Sequence, residues 1–316
     1  MALYRTYSDY LKEKYNEKVY KIPIALPVTC PNRDGTLDSD GCIFCGSIRA
    51  DYETKAVGME ITRQIDWSIS HVGPKYKAKK FIAYFLNFTN TYMPLSRFEY
   101  CVEEACGHPD IVGLAVSTRP DCIHESYLEV LREAQGKYGT NITVELGLQS
   151  VNPHTLLKIG RCHTVAEFID AALQIGRYHF DLCAHIIADL PWDDRIDVEE
   201  AAKLVSVLPV TEIKIHSLYI IKGTKLAKMY EKGDIKLLPP EEYAERVVLI
   251  LSMLRPDIVV QRIVGRASAN TLSVNGGRPW WEVKEYIEKL MRNRHIQQGS
   301  ACNYLHGAAV RRFLHE

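Results

Sequence analysis

Residues 112–119 read VGLAVSTR: a run of apolar and small side chains that stops at two hydroxyls and a guanidinium. A nearly unbroken apolar run of this length fits a strand buried on both faces, as strands of parallel sheets are. The pattern recurs at Tyr20–Val28, Lys80–Leu86, Ile142–Leu148, Asp181–Leu190 and Glu212–Tyr219. Between the runs lie stretches with helical spacing: Gly58–His71, Pro94–Cys106, His124–Gln135, Thr164–Tyr178 and Asp197–Val207. A further one, Pro240–Leu254, is entered through Pro239-Pro240, a common helix start. Six strand–helix repeats in this order predict a parallel α/β sheet with right-handed crossovers.

A doubly wound sheet satisfies the same alternation, and the ends of the runs discriminate. Asn87, Ser117-Thr118-Arg119, Gln149-Ser150, Asp189 and His216-Ser217 put polar side chains after nearly every strand. Chemistry gathered at the C-terminal ends of many strands describes the mouth of a barrel or partial barrel better than a single crevice. The expected organisation is a core over residues 1–275 and a helical extension over 276–316, entered through Arg278–Trp281.

Length and charge narrow the function classes. A chain of 316 residues suffices for one barrel-sized domain or for two. Lys+Arg and Asp+Glu both number 39, so no global charge draws the protein to nucleic acid or membrane, although a local basic patch fits within a neutral total. No apolar run approaches transmembrane length, and the amphipathic, charged start MALYRTYSDYLKEKYNEK is unlike a signal peptide. Nine scattered cysteines do not form a disulfide framework and point to a reducing cytoplasm.

The richest segment is Thr29–Gly46, TCPNRDGTLDSDGCIFCG, in which Cys42 and Cys45 form a C-x-x-C and Cys30 stands eleven intervening residues earlier. Three thiolates are one short of a closed tetrahedral site. A [4Fe–4S] cluster held by three cysteines keeps one iron open for a reacting ligand, and S-adenosylmethionine is the usual occupant when radical chemistry follows. Structural zinc is the alternative, but it usually takes four ligands, and the next His and Cys are His71 and Cys101. The remaining six cysteines, Cys101, Cys106, Cys122, Cys162, Cys183 and Cys302, read as small buried hydrophobes.

Taken together, YSDYLKEKY, TCPNRDG, GCIFC, TNTY, STRPDCI, VELGLQS, KIH and IKGTKLAKMY resemble the radical S-adenosylmethionine superfamily. Within it they are similar to the YhcC/YtqA-type branch related to the Elongator catalytic subunit, over nearly the whole chain. The resemblance implies a partial (β/α)6 TIM-like barrel with a C-terminal helical extension, a [4Fe–4S] cluster and S-adenosylmethionine. It implies Cys30, Cys42 and Cys45 as cluster ligands, with Phe44 shielding them, and Gln149 and Arg161 as contacts to S-adenosylmethionine. Glu145, His185, Ser117 and Asn87 are further candidates for the cofactor side; Arg119, Lys214, His216 and Lys222 are candidates for substrate. Two stretches depart from the superfamily pattern. Asn87–Asn90 stands where many members carry a GGE-like turn, and Ala188–Trp192 where relatives often show Gly-Leu-Pro-Gly.

The activity so implied begins with one electron from flavodoxin or ferredoxin and reductive cleavage of S-adenosylmethionine to a 5′-deoxyadenosyl radical. Kinship with the Elongator branch suggests a tRNA substrate: trimming of a carboxymethylaminomethyl group to aminomethyl at C5 of a wobble uridine. Basic residues near Lys222–Lys228 and Arg311–Arg312 suit phosphate contacts. The alternatives are a radical enzyme acting on a small metabolite and, remotely, a zinc-binding adaptor. The acetyltransferase domain of the Elongator subunit has no counterpart, so acetyl-CoA chemistry is not implied.

Overall fold

The computed structural model describes residues 2–46, 59–266 and 270–313. Helix α1 (Tyr7–Tyr15) precedes strand β1 (Val19–Ile24), followed by α2 (Ile61–Tyr76), β2 (Lys80–Phe85), α3 (Leu95–Cys106), β3 (Ile111–Thr118) and α4 (Glu125–Tyr138). Then come β4 (Asn141–Gln149), α5 (Pro153–Lys158), α6 (Val165–Arg177), β5 (Asp181–Ile187), α7 (Arg195–Val207) and β6 (Glu212–His216). The last third holds β7 (Ile220–Ile221), α8 (Lys225–Lys232), α9 (Pro240–Met253), β8 (Val259–Arg262), β9 (Thr271–Ser273) and α10 (Trp280–Asn293).

Seven strands form one parallel sheet in the order β1-β2-β3-β4-β5-β6-β8. The sheet curls into a half-barrel, the partial α/β barrel that the alternation predicts. It has one strand more than expected. β8 is four residues long and ends in Gln261-Arg262, too short and too polar at its end for periodicity to reveal. Its outer edge is extended by residues 5 and 6: Thr6 bridges to Val260, whose N–H donates to the Arg5 carbonyl at 2.8 Å.

Local signals set most boundaries. Thr164 and Asp194 begin α6 and α7 with capping boxes closed by Glu167 and Asp197, each satisfying otherwise orphaned N–H groups. The helix expected from Gly58 is described from Ile61, and Gly58 itself lies outside the described residues. The expected extension is sewn into the barrel: Val283, Ile287 and Met291 of α10 join the main core with Tyr243 and Val247 of α9.

Helix α1 crosses the N-terminal end of the barrel. Tyr10 donates to Asp181 at 3.1 Å, Lys14 to Asn141 at 2.7 Å, and Tyr15 to the Val112 carbonyl at 3.4 Å, all near the starts of β3, β4 and β5. That end is plugged, so the opposite rim, where the parallel strands finish, is the one that carries a site.

Phe168 of α6 is fully buried in the core, and Phe168→Ala is expected to lower stability by about 3–5 kcal/mol. Leu173 on the outer face of the same helix, 47% exposed, is expected to tolerate Ala within about 0.5 kcal/mol. Urea denaturation of both variants checks the orientation of the helix.

Candidate functional site

The loop after β1 folds on short hydrogen bonds. Arg33 N–H donates to the Cys30 carbonyl at 2.8 Å and Cys45 N–H to the Cys42 carbonyl at 2.9 Å. Gly41 takes a positive φ of 74°, a conformation glycine adopts without penalty. Asn32, fully buried, anchors the loop: its amide donates to the carbonyls of Gly160 and Arg161 at 2.8 and 3.1 Å and lies 3.5 Å from Cys42 Sγ. Ile43 N–H adds a bond to the Ile159 carbonyl at 3.0 Å. These contacts place Cys30, Cys42 and Cys45 on a single cleft, shared with Phe44, Ser117, Arg119, Gln149, Arg161 and His185. None of the three thiols is in a disulfide.

Guanidiniums surround the thiols. Arg161 reaches to 3.8 Å from Cys42 Sγ, donates to the Gly147 carbonyl at 3.2 Å, and has a buried Nε with no partner. Arg119, 2% exposed, is held bidentately by Asp121 at 2.8 Å while its buried Nη1 has no partner. Arg33 sits 3.7 Å from Cys45 Sγ and over the Phe88 ring. Burial, then Arg161 and Arg119, push the neighbouring His163 down to about 2. Guanidiniums this close favour thiolates over thiols and suit a carboxylate group of a ligand.

Two backbone features shape the cleft. Gln149, at the end of β4, has a φ of 70°, a strained conformation for a non-glycine residue of the kind that collects at functional sites. A Cβ on Gly147 would lie 2.5 Å from Arg161 Nη2 and 2.6 Å from Gln149 Nε2, so only glycine lets both polar groups approach that wall.

Other sequence candidates lie elsewhere. The Asn87 amide is spent on both backbone groups of Leu26, at 2.8 and 2.6 Å, and it does not line the cleft; Phe88 and Thr89 do. Glu145, with no exposure, accepts from Lys21 at 2.6 Å, Lys214 at 2.5 Å, Tyr84 at 2.6 Å and His185 at 2.9 Å. It sits beneath the cleft in the barrel interior, and Lys214, expected at substrate, is its ion-pair partner. Burial pushes the Glu145 carboxyl up, but Lys21, Lys214 and His185 outweigh it and hold it well below the usual carboxylate range. Burial and Lys214 take His185 down to about 4, so it is a neutral imidazole whose Nε2–H faces an acceptor-only carboxylate.

Glu145, Cys183 and His185 are close enough to share a cation, yet the two lysines already neutralise the carboxylate and burial raises the Cys183 thiol. His216 takes a bond from Arg262, and Lys222 is exposed on the rim. Of the six cysteines read as buried hydrophobes, Cys101, Cys106 and Cys183 are buried, Cys122 and Cys302 only partly so, and Cys162 is exposed. Asn32 and Arg33 were not among the sequence candidates; their signal was only their place inside TCPNRDG.

Residues 210–293 match the model of the Radical_SAM C-terminal domain. The chain is 35% identical to the protein YtqA of Bacillus subtilis over 94% of its own length and 92% of that protein's. It belongs to the radical S-adenosylmethionine family. Its cofactors are therefore a [4Fe–4S] cluster and S-adenosylmethionine. The Elongator complex protein 3 of Drosophila melanogaster is 27% identical over 48% of the chain and 27% of that protein. The solved structure of the archaeal Methanocaldococcus infernus Elp3 superposes with a TM-score of 0.60 at 18% identity, covering 89% of this chain and 64% of that one. The donor set suits the family's cofactors: three free thiols, and unpartnered buried guanidinium nitrogens for a carboxylate. Among the described residues no helix is long and apolar enough to cross a membrane.

Glu145→Gln leaves Lys21 and Lys214 without their counter-charge and is expected to cost about 3–5 kcal/mol at neutral pH. Because the folded-state pKa of Glu145 is depressed, its contribution is complete above the ordinary carboxylate pKa and is lost as pH falls through the folded value. The gap between variant and wild type should therefore close toward acid pH in denaturation curves; a gap independent of pH would contradict the ion-pair account.

Proposed function

We propose that this radical S-adenosylmethionine enzyme modifies the C5 side chain of a wobble uridine in tRNA, converting carboxymethylaminomethyl to aminomethyl: loss of a hydrogen atom from the methylene beside the carboxylate, and of one further electron to the oxidised cluster, would leave an imine that water would cleave to the amine and glyoxylate. The observation that carries the chemistry is the common cleft of Cys30, Cys42, Cys45, Gln149 and Arg161 at the C-terminal rim. In this reading the three cysteines hold the cluster and keep one iron open. Arg161 pairs with the methionine carboxylate through its fork of donors. Gln149 meets the ribose hydroxyls, and Phe44 and Phe88 keep water from the reacting centre. When bound, the cofactors supply a 5′-deoxyadenosyl radical that abstracts hydrogen from substrate, with flavodoxin or ferredoxin as the electron source.

The tRNA assignment draws on the sequence similarity to Elongator complex protein 3 and on the rim of the cleft. Helix α8 is tied to the cysteine loop by Leu226 N–H donating to the Ile43 carbonyl at 2.9 Å, and by Lys225 pairing with Asp40 at 2.6 Å. It carries exposed Lys225 and Lys228, with exposed Lys222 just before it. Cations beside the opening suit a phosphate backbone that presents one base to the cleft. Arg311 and Arg312, the other expected phosphate contacts, have side chains outside the described residues.

Anaerobically reconstituted wild type, given dithionite and S-adenosylmethionine, should form 5′-deoxyadenosine at a rate that rises with bulk tRNA from cells lacking this protein. The Cys30/Cys42/Cys45 triple-Ala variant should form none. Zinc in place of iron, with no deoxyadenosine from wild type, would overturn the assignment.

A Lys222→Ala/Lys225→Ala variant should retain tRNA less well and reduce the slope of log affinity against log salt by roughly 2. Absence of tRNA binding at low salt would instead favour a small metabolite as substrate.

A further inference from the structure

The cleft is lined by residues from the β1 loop through β5, and β6 and β8 contribute none of its wall. Beyond His185 the interior continues as an imidazole–imidazole–guanidinium row. The His185 and His216 ring centroids are 5.2 Å apart, and Arg262 Nη2 donates to His216 Nδ1 at 2.7 Å. Arg262 Nε is buried and has no hydrogen-bond partner. Among the described residues no carboxylate pairs with Arg262; the interior carboxylates Glu145 and Glu212 are engaged by Lys21, Lys214 and Gln261. The row closes the C-terminal ends of β6 and β8, where His216 and Arg262 are the last residues.

A guanidinium held against an imidazole nitrogen, with a buried donor unused and no carboxylate beside it among the described residues, is costly unless a ligand completes it. We propose that Arg262, with His216, forms a substrate subsite for a carboxylate, next to the cofactor cleft and distinct from the Arg161 and Arg119 guanidiniums. The subsite stands on this geometry alone. Its assignment to the carboxymethyl group of the wobble nucleoside rests on the function proposed above. That group is the part of the substrate to be removed, so fixing its carboxylate would hold the neighbouring methylene at the mouth of the cleft.

Two measurements separate the subsite from the functional reading. In the first, oxidised reconstituted enzyme with ¹⁵N-labelled histidine is titrated with sodium acetate. His216 nitrogens should shift saturably in wild type and not in Arg262→Gln; an unmoved His216 in wild type overturns the subsite. In the second, anticodon stem-loops carry 5-carboxymethylaminomethyluridine or its methyl ester at the wobble position, which distinguishes the nucleoside carboxylate from backbone phosphate. Wild type should prefer the acid by roughly 10- to 100-fold in kcat/KM, and Arg262→Gln should lose that preference. Equal use of acid and ester by wild type overturns the carboxylate assignment. Acetate binding with neither stem-loop consumed sinks the tRNA reading and leaves the subsite standing. Should Arg262→Gln fail to fold, the wild-type titration and the acid–ester comparison still decide both questions.

Discussion

One carboxylate organises the inside of this half-barrel. Glu145 on β4 takes hydrogen bonds from Lys21 on β1, Tyr84 on β2, His185 on β5 and Lys214 on β6. Side chains from four strands thus converge on two oxygens of a fifth. An open sheet has no covalent or hydrogen-bonded closure to fix its curl, and here the convergence supplies that constraint. Removing two charges from water is expensive and is offset only where every donor and lone pair finds its partner. The two lysine ammonium groups also lie over the Tyr84 ring, at 4.7 and 4.5 Å from its centroid, which adds cation–π attraction in a desolvated place.

The polar interior is layered along the barrel axis. Near the plugged end, Tyr10 and Lys14 of α1 meet Asp181, and Glu212, pushed up to about 7 by burial, bonds Gln261. Glu145 and its cations form the next level, and His185, His216 and Arg262 the one above. His185 belongs to two levels: it donates downward to Glu145 and lines the cofactor cleft above. A change at Glu145 therefore has a direct route to the cleft through the His185 imidazole, and the scaffold and the site share a residue.

What sequence shows well here is what depends on one residue at a time. The cysteine spacing, the apolar strand runs and the polar residues that end them all lie in short stretches, and six of the seven strands of the main sheet follow from them. β8 does not, because Val259–Arg262 offers only two apolar residues and gains strand geometry from β6 and from the segment around Thr6. Lys214 and Glu145 both read as polar residues inside apolar strands, yet nothing local says that they satisfy each other across 69 positions. Asn87 ends its strand as a cofactor contact might, and only the tertiary structure shows its amide locked on Leu26. Asn32 and Arg33 were invisible for the opposite reason: polar residues in a Gly- and Asp-rich loop look solvated until the loop is folded back onto Gly160.

The distribution of positive charge follows from these placements. Arg33, Arg119 and Arg161 face the thiols, whereas Lys21 and Lys214 are cancelled by Glu145 one level down. Had Glu145 been absent, the lysine charges would add to the field of the cleft and raise the cost of burying all of them together. With it present, the field is concentrated at the rim, where the guanidiniums keep unpartnered nitrogens. Arginine suits that position because it stays charged when buried and offers its donors in a fixed plane. A lysine there would deprotonate or turn to water. The neutral total charge of the chain thus conceals a divided interior, cancelled at its centre and positive at its mouth, beside the three thiols.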